Sequence, residues 1–194
     1  MNIQPLFDYI ARYVALTIEE QELLLANVNR RRYLKGQYIV QQGDICQFEN
    51  FVLSGCVKSF YIDPEGHEHI AMFAIENWWV TDLGSFIKQR PADYNVLCLE
   101  NTELVQFHHK KLEELYQKIP SLERFFRIII QNAFVASQDR IVQSMSVPAR
   151  ERYLAFRQKY PQIERRVPQY MVASYLGITK EFLSKIRSQL IHEQ

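Results

Sequence analysis

Close to the C-terminal end, Lys180, Glu181, Ser184, Lys185 and Ser188 fall on one side of a helical wheel. Ammonium groups at that spacing donate to phosphate oxygens or to guanine O6 and N7, and a carboxylate accepts from cytosine N4. Arg187 flanks the row toward the phosphates, and Gln169 and Thr179 complete the candidate nucleic-acid contacts. A second set of chemical groups is His67-Glu68-His69. On a strand, residues i and i+2 share a face, so the two imidazoles resemble part of a cupin-type metal site. The carboxylate Glu76 follows seven residues after His69, far along the strand, and His108 and His109 come only after the last strand-like run. A solvated hairpin after the turn at 63–66 accounts for the same residues more simply. The cysteines Cys46, Cys56 and Cys98 are odd in number and widely spaced, so they suggest buried free thiols and not a disulfide framework, zinc site or iron–sulfur cluster.

The elements that must hold the polar row are legible around it. In VASYLGITKEFLSKI, Val172, Leu176, Ile178, Leu183 and Ile186 form the apolar stripe between two short helices. Ala173 permits close packing, Gly177 tolerates the left-handed backbone of a sharp turn, and Thr179 can N-cap the second helix. This is the pattern of a helix-turn-helix. Its polar face is also what any solvated helix would show, so charge matters. From residue 147 onward nine Lys/Arg stand against four Asp/Glu, a net +5, whereas residues 1–146 carry −4. A basic C-terminal quarter on an acidic body suggests contact with a polyanion.

Upstream, residues 4–28 are expected to be helical, with Thr17 and Glu20 forming a capping box. Between Tyr33 and Phe107, the runs YIVQQ, FVLSG, CVKSFYI, HIAMFAI, YNVLCLE and TELVQF alternate with glycine-bearing turns. Short strands without intervening long helices predict an antiparallel sandwich or barrel. After a short amphipathic segment at 110–118, residues 121–145 run without Pro or Gly, a rod of about 38 Å at 1.5 Å per residue. Its first half is apolar nearly all round, which calls for a partner helix from a second subunit or for complete burial within one chain. The helix is expected to break at 146–148, where the charge balance also reverses. Hydrophobic residues at 47% and aromatics at 13% support a substantial core. No apolar run reaches membrane-span length and the N-terminus lacks a signal-peptide pattern, so a cytoplasmic location is expected.

Three stretches together resemble the CRP/FNR family of bacterial transcription regulators over nearly the whole chain: LKGQYIVQQGD…FVLSGCVKSFYIDPEGHE, the helix at 121–145, and RVPQYMVASYLGITKEFLSKIRSQL. Gly177-x-Thr179-Lys180-Glu181-x-x-x-Lys185 is similar to the family's Gly-x-Ser-Arg-Glu-x-x-x-Arg. The resemblance implies an α+β protein. An N-terminal antiparallel, cyclic-nucleotide-binding-like β-roll (1–120) is followed by a dimerisation helix (121–146) and a C-terminal winged helix-turn-helix (147–194). It implies a non-enzymatic homodimer, paired through helix 121–145, that binds palindromic double-stranded DNA, with RNA polymerase as a further partner and no cofactor. At 180 and 185 Lys replaces the family's Arg, giving a point charge without the bidentate fork.

The nucleotide pocket departs from the family. Nucleotide-binding members carry Gly-Glu-Leu and then Arg-Ser/Thr-Ala, whose arginine pairs the cyclic phosphate. Here Asp82-Leu83 resembles part of the first element, but the arginine's place falls near Ala92, with Arg90 two residues away and Tyr94 close by. A buried phosphate without a fixed cation is costly, so ordinary cAMP binding is not expected. Trp79, with Trp78, either lines an apolar effector pocket or belongs to the core. The alternatives from other classes are a cupin-like metal-dependent enzyme and a DNA-independent signalling adaptor.

Overall fold

The computed structural model describes residues 3–192. The helical N-terminal stretch is not continuous: α1 spans Gln4–Ile10 and α2 spans Ile18–Asn27. The chain turns between them and buries Val14. The capping box explains where helix resumes. Thr17 Oγ1 accepts from the Glu20 amide at 3.2 Å, and the Glu20 carboxylate accepts from the Thr17 amide at 2.8 Å.

Among the described residues eight strands follow: β1 Asn29–Tyr33, β2 Tyr38–Val40, β3 Phe48–Ser54, β4 Val57–Ile62, β5 Glu68–Ala74, β6 Trp79–Val80, β7 Asn95–Cys98 and β8 Thr102–His108, with the short helix α3 Leu83–Lys88 between β6 and β7. They form two antiparallel four-stranded sheets, ordered β1-β8-β3-β6 and β2-β7-β4-β5. The sequence patterns miss β1, whose Asn29-Arg-Arg-Arg-Tyr33 carries no apolar alternation, and the two-residue β6. As an edge strand β1 needs only backbone pairing with β8, and Glu103 across from it receives Arg30 and Arg32 at 2.6 and 2.8 Å. The β3–β4 turn depends on Gly55, at φ +106°, where a Cβ would lie 2.7 Å from the Thr102 Cα.

Helices complete the chain: α4 His109–Lys118, α5 Pro120–Ser146, α6 Ala149–Lys159, α7 Pro161–Arg166, α8 Gln169–Leu176 and α9 Lys180–His192. One hydrophobic core lies between the sheets and under α1, α2, α4 and the start of α5, where Leu122, Phe125 and Phe126 are buried. A second core joins Phe60, Ile70 and Phe73 of β4–β5 to Tyr153, Phe156, Val172, Leu176, Leu183 and Ile186 of the C-terminal helices. The C-terminal unit is thus seated on the outer sheet. No strand occurs in it among the described residues, so the hairpin of a wing is not part of what is described. From Ile130 to Ser146, by contrast, every residue of α5 is exposed. The free thiols Cys46, Cys56 and Cys98 are all buried, and no described helix is long and apolar enough to cross a membrane.

Candidate nucleic-acid interface and sensor cavity

The turn between α8 and α9 is built by Gly177, at φ +66° and ψ +37°. Its amide reaches the Ser174 carbonyl at 3.1 Å and the next amide, of Ile178, reaches back to Ala173 at 3.0 Å. This pairing satisfies the last carbonyls of α8 and redirects the chain. Thr179 Oγ1 then accepts from the Phe182 amide at 3.1 Å, capping α9. Leu183 and Ile186 point into the second core beside Val172, Ala173 and Leu176. Lys180, Glu181, Ser184, Lys185 and Ser188 are all exposed, with Gln169 and Thr179, and Arg187 is half-buried at their flank. The structure therefore brings the sequence-predicted row together on one open face. A Cβ on residue 177 would meet nothing within 4 Å, so Gly177→Ala should cost only the left-handed backbone penalty. We expect a loss of about 1–2 kcal/mol in denaturant unfolding, with the helix content of the folded state unchanged.

The other side of the helix pair is anchored. Ser174 Oγ accepts from the Ile70 amide at 3.0 Å and donates to the Glu68 carbonyl at 2.9 Å, pinning α8 to β5. Phe73 packs on Tyr175, and Trp78 on Tyr160, each with ring centroids 5.6 Å apart. Arg166 of α7 makes bidentate contacts to both Glu76 (2.7 and 3.0 Å) and Glu100 (3.0 and 2.6 Å) of the β-roll. At the helix break after Ser146, Arg152 donates to the carbonyls of Ser144, Val147 and Leu176. Sequence patterns missed this clamp because its partners lie 66 and 90 residues from Arg166.

Burial pushes the Glu76 carboxyl up, but hydrogen bonds from Arg166 and from backbone amides outweigh it and hold the group below its ordinary value of 4.5. A depressed carboxylate contributes stability that is present above its unfolded value and lost as pH falls through the folded one. The docking should therefore loosen only below about pH 4.5. Removing the cation has a larger effect. Arg166→Met leaves two facing carboxylates and should weaken docking by about 2 kcal/mol, at the lower end for a paired charge because both acids keep solvent contact. Hydrogen exchange in α7 and α8 would show it as faster opening, with the sheet amides unchanged.

The loop expected to hold an effector is arranged differently from a phosphate site. Asp82, 3% exposed, caps α3 by accepting from the Ser85 amide at 2.9 Å. Its other oxygen accepts from the amides of Asp93 and Tyr94 at 2.8 and 3.0 Å. Backbone donors gathered at this loop are thereby occupied by the protein's own carboxylate. Ala92 is buried, while Arg90 is exposed and paired with Asp93 at 2.7 Å. Of the sequence-predicted pocket residues, Trp79 and Leu83 line a cavity of about 1120 Å3, whereas Asp82, Arg90 and Tyr94 do not. That cavity lies between the β6-bearing sheet, α1, α4 and α5 and continues toward α6 and α8. Sequence reasoning missed Glu49, which also lines it; the available signal was a lone charge within the apolar run FENFV.

The histidines beside the β4–β5 turn serve that turn. His69 pairs with Asp63 at 2.7 Å, and Glu68 is engaged by Lys58. Asp63, Glu65 and His67 do come within ligand distance of one another, but Glu65 and His67 are exposed and Asp63 accepts backbone amides.

A β-roll joined by one long helix to a helix-turn-helix defines the class of sensor-linked DNA-binding regulators. The cyclic nucleotide-binding domain family matches residues 30–119. The transcriptional activator protein anr of Pseudomonas aeruginosa is 25% identical over 185 residues, covering 89% of this chain and 75% of that protein. The fumarate and nitrate reduction regulatory protein of Yersinia pestis is 26% identical over 189 residues, covering 89% and 74%. Among solved structures, FixK2 from Bradyrhizobium japonicum superposes with a TM-score of 0.75 at 17% identity, covering 86% of this chain and 85% of that one. The catabolite activator protein of Thermus thermophilus gives 0.60 at 21% identity, covering 97% and 87%. The chain thus carries a cyclic nucleotide-binding domain at 30–119 and is similar over most of its length to transcription regulators of the CRP/FNR type.

Proposed function

We propose that the protein acts in the cytoplasm as a homodimer that binds palindromic operator DNA. Residues 1–120 form the sensor unit, 121–146 the dimerising helix and 147–194 the DNA-binding unit. The observation that carries this reading is the open polar face of α9, presented outward while α8 is fixed to the β-roll behind it. Two such faces, held by paired α5 helices, would enter successive major grooves with half-site centres about 34 Å apart. Lys180 and Lys185 carry the base or phosphate contacts, with Glu181 and Ser184 between them. Gln169, Thr179, Arg187 and Ser188 position the helix on the backbone.

The self-occupied Asp82 loop and the buried Ala92 argue against cAMP held in the ordinary way, and no enzymatic step is needed to explain the site residues. A small-molecule effector would act by shifting how the C-terminal unit sits against the clamp at Glu76 and Glu100. RNA polymerase is the expected partner once DNA is bound. Selection of bound sequences from a random DNA library, with and without cell extract, tests the reading. A palindromic motif should emerge, and its binding should fall steeply with salt. Recovery of no enriched sequence under either condition would refute it.

A further inference from the structure

Glu49 is the second residue of β3 and is 7% exposed. Its neighbour Asn50 shows how this strand usually treats buried polar groups: it donates to the Phe48 and Val80 carbonyls and accepts from Gln106. Nothing comparable serves Glu49. Among the described residues no donor reaches its carboxyl, and burial alone pushes that group up to about 8. Across the sheet Phe51 pairs with Trp79 of β6, and Glu49 lies two residues from Phe51. By the alternation of a strand, Glu49 and Trp79 therefore project from the same face. Trp79 also has an unsatisfied group, since its buried Nε1–H has no acceptor. A buried donor without an acceptor and an acid that no donor reaches among the described residues thus line one cavity.

The rest of that end of the cavity is aromatic. Tyr9 comes from α1, Tyr13 from the turn after it, Tyr116 from α4 and Phe126 from α5. Trp79 and Phe126 meet with centroids 5.0 Å apart, Tyr116 and Phe126 at 5.7 Å, and Tyr9 and Tyr13 at 5.7 Å. Arg12, also at the wall, is stacked over the Tyr9 ring at 5.2 Å and makes no bond to Glu49. This end of the cavity is formed at the buried start of α5, and the same cavity runs on along the exposed stretch of α5 that the proposed dimer would cover, from Ile130 to Ser144.

Resting on the reading of the β-roll as the sensor of a DNA-binding regulator, we propose that this chamber binds a small primary amine with an aromatic body. The ammonium pairs with Glu49, the body stacks among the rings, and an oxygen on a natural ligand can accept from Trp79. Each feature answers a specific observation. A buried carboxyl without a partner is costly until a cation joins it, and ring faces favour a cation through their quadrupoles. A neutral or anionic ligand of the same shape would leave the acid unpaired.

A charge-matched series tests the proposal on the full-length protein: 2-phenylethylamine, 2-phenylethanol and phenylacetate, followed by calorimetry and tryptophan fluorescence. The amine should bind at least about tenfold more tightly than the alcohol, and phenylacetate should not bind. Glu49→Gln, which keeps the shape and removes the acid, should abolish the amine's advantage without lowering the unfolding midpoint. Equal binding of the three probes, no binding of the amine at millimolar concentration, or an unchanged preference in Glu49→Gln would overturn the proposal. Because these readouts contain no DNA, a failed operator selection would refute the regulator reading and leave the amine result standing.

Discussion

Glutamate at both Phe134 and Ile141 should convert the protein to a folded monomer and lower operator affinity by about 100-fold or more. The reason lies in the two halves of α5. Its first turns are fixed by Leu122, Phe125 and Phe126 under the β-roll, but Phe134 is 62% exposed, Ile141 54% and Met145 83%. Ile130, Phe134, Ile141 and Met145 recur at intervals of four and seven residues, the spacing of a helix-pairing seam. A polar side chain there costs the single chain little, since no described residue covers these positions. In a dimer each would be opposed by its symmetry mate. Burying an apolar side chain contributes about 1.5–3 kcal/mol, and two substitutions remove that contribution four times while placing four carboxylates in the seam. DNA binding then loses its bivalent gain, because each reading head must find a half-site alone. Sedimentation equilibrium and gel shifts on the selected operator would measure the two effects. A variant that remains dimeric, or a monomer that binds the operator as tightly as the parent, would show that α5 is not the pairing element.

The parts of this protein that were legible in its sequence are those specified locally. Thr17 and Glu20 mark the start of α2 because both halves of a capping box lie within one turn of the same helix. Read strictly, the same box also shows that a helix begins at Ile18, so a single helix over 4–28 was inconsistent with it. Gly177, Ala173 and the apolar stripe locate the helix-turn-helix for a similar reason, since its angle is set by residues close in sequence. What was not legible depends on distant chain. Strand β1 consists of polar residues and exists because β8 offers it an edge, with Glu103 between two of its arginines. Arg166 gives no local sign that it will clamp Glu76 and Glu100. Asp82 resembled one element of a nucleotide site by its type and position, yet its carboxylate closes the loop on itself. The identity of a residue in a motif and the partner it takes are separate facts, and only the first is written locally.

The same distinction applies to the two lysines on α9, where replacement should have the second large effect. Lys180→Ala with Lys185→Ala should reduce operator affinity by about 100-fold or more, leaving residual binding close to that for unrelated DNA. Both side chains are exposed on the face opposite Leu183 and Ile186, so neither contributes to the core and the variant should unfold at the parent's midpoint. The salt dependence separates the two roles a lysine can play. Each cation that sits on phosphate adds about 0.9 to the slope of log K against log salt, so four lost contacts in the dimer would flatten it by about 3.6. A lysine that reads guanine instead loses discrimination at one base position per half-site, worth about 1–3 kcal/mol there, with the slope little changed. An ammonium can meet O6 or N7 but cannot hold both in a planar fork, as a guanidinium can. Lys185→Arg is therefore expected to sharpen a guanine preference already present, raising selectivity at that position about tenfold. Operator affinity and selectivity unchanged in the double-alanine variant would place the reading surface elsewhere on the C-terminal unit.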